Sequence, residues 1–138
     1  MKMYEQVGEF KPDSLIASAN FPILTEGIGL KAGQGLLKRG SLIIKAEKAG
    51  YIAGTTHTTG SGENEKTEEI TGKIFGILTD DTDTGLDDAG DNIPATCYQT
   101  GIFNRAAVIV AGKSATVDNY EDDMRVVSLF LRNVQNYE

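Results

Sequence analysis

Lys73-Ile74-Phe75-Gly76-Ile77-Leu78-Thr79 is followed at once by Asp80-Asp81-Thr82-Asp83. A short apolar run closed by carboxylates is the pattern of a buried strand running into a loop. Gly76 inside the run marks a β-bulge or a place where another backbone comes close.

Upstream, Leu42-Ile43-Ile44-Lys45-Ala46 and Tyr51-Ile52-Ala53 flank Glu47-Lys48-Ala49-Gly50, a loop of hairpin length. Pro22-Ile23-Leu24-Thr25-Glu26 and Gly27-Ile28-Gly29-Leu30 alternate weakly, as an edge strand does, and Ala32-Gly33-Gln34-Gly35 reads as a turn. Downstream, residues 95–100 and 106–110 read as strands separated by Gly101-Ile102-Phe103-Asn104-Arg105. Residues 55–69 contain no Leu, Ile, Val or Phe and are expected to form a polar, mobile loop.

One helix is expected near the C-terminus. Asp118 stands in a capping position with Glu121 three residues on, and Glu121, Asp122 and Asp123 suit the positive end of a helix dipole. Tyr120, Met124, Val127 and Leu131 follow at helical spacing as one apolar stripe. Sixteen Gly and no Trp fit many turns and short strands. The expected fold is mainly β (α+β): a compact small β domain over residues 21–138, with one C-terminal helix. Residues 1–20 lack a sustained period and read as an extended, flexible N-terminal arm.

Residues 1–78 carry nine basic and nine acidic residues, whereas residues 79–138 carry four and eleven, so the whole net charge of −7 lies in the second part. An acidic surface repels phosphates, which argues against a nucleic-acid partner. The longest apolar stretch, residues 106–111, is far short of a membrane span, and the first residues have no apolar run like a signal peptide. The chain is expected to be made and kept in a cytosol. The single cysteine, Cys97, excludes an internal disulfide and reads as a small buried hydrophobe.

Candidate chemistry is sparse. Asp80, Asp81 and Asp83, with Asp87, Asp88 and Asp91 nearby, offer oxygens to a hard cation. Their spacing departs from an EF-hand loop: counted from Asp81, Gly85 falls at the fifth position rather than the sixth, and Asn92 replaces the closing Glu. The only histidine, His57, and the nearby Ser61 lie in the polar stretch, where nothing would hold a nucleophile and base in register. Gly33, Gly35 and Gly40 lack the Gly-Lys-Ser/Thr of a phosphate loop, and no aromatics interleave with basic residues. Neither a catalytic role, a cofactor, a metal nor a small-molecule substrate is expected. An arm that orders on a scaffold is, by contrast, a sound lattice clamp.

Three blocks resemble the head decoration proteins of lambda-like phages and prophages. The first is Asn20-Phe21-Pro22-Ile23-Leu24-Thr25-Glu26 continuing to Ala32-Gly33-Gln34-Gly35-Leu36-Leu37-Lys38-Arg39-Gly40-Ser41-Leu42-Ile43. The second is Phe75-Gly76-Ile77-Leu78-Thr79-Asp80-Asp81-Thr82-Asp83, and the third is Tyr98-Gln99-Thr100-Gly101-Ile102-Phe103-Asn104-Arg105-Ala106-Ala107-Val108. The resemblance spans residues 15–132, with the polar insertion at 55–69 and the short tail as departures. It implies a trimer at three-fold sites on the outer surface of the expanded capsid. It also implies an N-terminal arm laid on the major capsid protein, and a mechanical role against packaged DNA. Tyr4, Phe10, Leu15 and Ile16, beside Phe21 and Leu24, are the expected contacts. The alternatives are a tail-tube or fibre-associated β domain, and a metal-binding module using Asp80, Asp81 and Asp83.

Overall fold

The computed structural model describes residues 15–18, 21–59, 62–87, 90–111 and 117–133. Nearly half of the described residues lie in β-strands, the dominant regular structure, with one short helix near the C-terminus.

Five strands close into a small barrel: β2 (Thr25–Leu30), β4 (Leu42–Ala46), β5 (Ala49–Ile52), β8 (Lys73–Leu78) and β10 (Ile93–Tyr98). Around the barrel the order is β10-β2-β5-β4-β8. A second sheet lies outside it, in the order β1 (Ile16–Ser18), β11 (Gly101–Asn104), β12 (Leu129–Arg132). Two ladders complete the β structure: β3 (Leu36–Leu37) with β9 (Thr82–Asp83), and β6 (Thr56–Thr59) with β7 (Lys66–Glu69).

The continuous apolar runs are explained by burial on both faces of a strand. In β4, Ile43 points into the barrel with Leu30, Leu37, Leu78 and Cys97. Its neighbours Leu42 and Ile44 point outward, into a second cluster with Leu15, Ile77, Phe103, Met124, Leu129 and Leu131. Each such side chain, fully buried, contributes about 1.5–3 kcal/mol relative to exposure. The hairpin between β4 and β5 turns through Glu47 and Lys48, both at positive φ, which is the two-residue turn whose twist suits antiparallel strands. Gly76 answers to both sequence readings. A Cβ there would stand 2.4 Å from the Tyr98 carbonyl oxygen, and the β4–β8 register shifts opposite it.

The barrel seams are unequal. β2 and β10 pair over six residues, but β2 and β5 share only Leu30 with Gly50. Just past Leu30 the seam is continued by the Lys31 N–H, which donates to the Gly50 carbonyl at 2.9 Å, and by the Gln34 side chain. Its Oε1 accepts from the Ile52 N–H at 3.0 Å, and its Nε2 donates to the carbonyls of Lys31 at 2.8 Å and Gly50 at 3.1 Å.

Seven sequence expectations are corrected. The strand read over residues 22–30 covers only Thr25–Leu30, and it is edge-like except at Leu30, where Gly50 of β5 pairs with it and closes the barrel. The polar stretch 55–69 holds the hairpin of β6 and β7, for which its threonines have the required β-branching. Residues 101–104, read as a spacer, are the central strand β11, and Phe103 is fully buried. Residues 105–107 instead form a 3₁₀ turn, and Ile109 joins the barrel by one bridge to Ser41. The apolar stripe is not one helix: α1 covers only Glu121–Val126, after a 3₁₀ turn at Val117–Tyr120, and Leu131 sits on β12. No side chain caps α1. Asp118 and Glu121 both turn to Arg105, a stronger, charge-assisted partner. Finally, the arm ends earlier than residue 20, since Leu15 is in the core and residues 16–18 pair with β11.

Candidate functional site

The expected docking residues divide into three groups. Tyr4 and Phe10 lie outside the described residues. Leu15 is 1% exposed, and its carbonyl accepts from the Asn104 N–H at 2.7 Å, so it anchors the chain to its own core and is not available to a partner. Ile16, Phe21 and Leu24 remain at least partly accessible.

The segment around Phe21 is strapped down by one hydroxyl. Thr100 Oγ1 donates to the Pro22 carbonyl at 2.8 Å and accepts from the Leu24 N–H at 3.1 Å, while the Gln99 N–H donates to the Leu24 carbonyl at 2.7 Å. Phe21 meets Phe130 edge to face, with centroids 5.4 Å apart. Leu24 stays 60% exposed. Gly101 then donates to the Ser128 carbonyl, which brings the exposed Val126 and Val127 close to the same strap. Val127 was not legible as a surface residue, since the helical spacing assigned it to a core stripe.

The three blocks of the resemblance meet in space at Arg39. Its backbone N–H donates to Asp81 Oδ1 at 2.8 Å. Its guanidinium donates to the Thr79 carbonyl at 2.8 Å and to the Tyr98 hydroxyl at 2.7 Å, lying 5.5 Å from the centre of the Tyr98 ring. Beside it, Leu36 and Leu37 of the first block pair with Asp83 and Thr82 of the second. Tyr98 also packs on Phe103, both of the third block.

Two carboxylates of the acidic loop are spent on backbone N–H groups. Asp81 receives Arg39, and Asp83 Oδ1 receives the Gly85 N–H at 2.9 Å. Among the described residues no three His, Cys, Asp or Glu side chains are grouped to hold a metal ion. The His57 backbone lies on β6 opposite Glu68, and Ser61 is outside the described residues. Cys97 is fully buried and desolvation pushes its thiol up to about 12, so it is protonated and unreactive near neutral pH. No helix among the described residues is long and apolar enough to cross a membrane.

A second polar centre fixes α1. Arg105 binds Glu121 at 2.8 Å, Asp118, and Asn133 Oδ1 at 3.1 Å. The Arg105 hydrogen bonds, followed by that of Arg125, hold the Glu121 carboxyl down to about 2.

No protein-family model matches the chain, and a search of curated proteins finds no match.

Proposed function

We propose that this chain is a decoration, or cement, subunit of a tailed-phage head. In this reading it binds the major capsid protein on the outer surface of the expanded shell, as a homotrimer at three-fold sites, and stiffens the shell mechanically. The observation that carries the reading is the convergence on Arg39. The three segments that resemble the decoration family are far apart in sequence, yet they tie one another together through Asp81, Thr79 and Tyr98. Segments that resemble a family and also form one structural knot are what a shared fold requires.

The docking surface consists of the chain ahead of Leu15, with Tyr4 and Phe10, continued by Ile16, Phe21 and Leu24. The buried Leu15 sets where the arm can be cut. A protein lacking residues 1–14 keeps its thermal transition and loses at least tenfold in affinity for expanded heads, measured by co-sedimentation. A cut at residue 18 removes a core side chain and lowers the transition as well. A cryo-EM map of particles with and without the protein tests the site. Density at the three-fold positions of the head supports the reading, and density on the tail transfers the protein to the alternative virion class.

A further inference from the structure

An open groove of about 1060 Å³ runs beside the Gln34 seam, walled by residues 31–34, 45–47, 55–56 and 69–73 together with Tyr51. Three of its lining residues are Lys31, Lys45 and Lys73. Lys45 and Lys73 stand directly opposite each other in the β4–β8 ladder. Like charges in that position repel and weaken the pairing of the strands. None of the three makes an ion pair with a described carboxylate, although Glu47 and Glu69 also line the groove. Glu69 is engaged elsewhere, accepting from the Tyr120 hydroxyl.

We propose that this groove binds an extended acidic segment of another protein, whose carboxylates fall between Lys45 and Lys73 and reach Lys31. The repulsion in the free protein then becomes attraction in the complex. Two features favour a peptide over a free phosphate or a nucleic acid. Ala46, Tyr51 and Ile70 line the groove beside the lysines, so it offers apolar as well as charged contacts. The net charge of −7 repels a long polyanion, whereas a short acidic strand feels mainly the local lysines. The proposal is independent of the capsid reading, because peptides rather than particles report on it.

Fluorescence anisotropy with a labelled decapeptide of alternating Glu and Leu, against one of alternating Lys and Leu, tests it in the full chain. The acidic peptide is expected to bind at least tenfold more tightly, and to weaken as salt rises. Lys45→Glu turns the repelling pair into an attracting one. It should therefore raise the melting temperature while cutting peptide affinity at least tenfold, and Lys38→Glu, outside the groove, should leave affinity unchanged. Equal binding of the two peptides, or undiminished binding by Lys45→Glu, overturns the proposal. Competition by inorganic phosphate or a single-stranded oligonucleotide at concentrations as low as those of unlabelled acidic peptide overturns the peptide assignment.

Discussion

The barrel and the layer outside it are built from different parts of the chain and held by different means. The barrel uses residues 25–98, and hydrogen bonds run from strand to strand nearly all the way round. The outer layer is assembled from the two flanks, residues 15–18 on one side and 101–132 on the other. It depends on packing against the outward faces of β4 and β8, and on the salt bridges of Arg105. A sheet that closes on itself satisfies its own backbone. Three short strands and a six-residue helix must borrow a surface to bury theirs.

The largest expected effects therefore fall on the outer layer. Leu15→Ala and Met124→Ala each remove a side chain that is essentially fully buried, and each should lower stability by about 2–5 kcal/mol in chemical denaturation. A change within about 0.5 kcal/mol for Leu15→Ala would return that residue to the arm and erase the distinction between flank and barrel. Gln34→Leu probes the weak barrel seam. It strips the Ile52 N–H of its acceptor and should cost about 1–3 kcal/mol, with faster hydrogen exchange at Ile52 than in the β2–β10 ladder.

Acid should separate the layers. The Glu121 carboxyl is held below its unfolded value, so its stabilisation is complete above about pH 4.3, the ordinary value for Glu, and is lost as pH falls towards about 2. Glu121→Gln should flatten the slope of melting temperature against pH between 5 and 2, taken by scanning calorimetry, with the barrel amides unaffected. In alkali the sign reverses. Burial, and then the hydrogen bond to Glu69, push the Tyr120 hydroxyl up to about 12, so its contribution is intact below about pH 10 and lost as pH rises through 12. Smallest is the gain from Lys45→Glu, about 0.2–1 kcal/mol from relieving the cross-strand repulsion, measurable by urea titration.

Legibility in the sequence follows the same division. β4 and β8 carry dense apolar runs and could be placed. β5 and β10 could be placed only in part, since Ala49-Gly50 read as loop and the later strand as residues 95–100. Gly76 announced its close approach. The outer layer could not be placed. β11 holds a glycine and an asparagine among its four residues, and its burial comes from long-range packing, between its strand neighbours and against the outward faces of β4 and β8. The helical spacing of Tyr120, Met124, Val127 and Leu131 was real, but Ser128 takes a positive φ that ends the helix between the last two. The β6–β7 hairpin escaped notice because its threonines supply β-propensity without hydrophobicity. Of the expected docking residues, Leu15 was misassigned for want of any local sign that it packs beside residues far along the chain. The lysine pair of the groove was invisible until β4 and β8 were put in register.

The pairing of Ile16–Ser18 with Gly101–Asn104 has a consequence for synthesis. A ribosome releases the first strand long before its partner exists, and that partner is of little use until Leu129–Arg132 follows on its other side. This early strand is thus placed only after much later ones are made. A nascent chain can close its barrel while Ile16–Ser18 wait for residues 101–132 to follow.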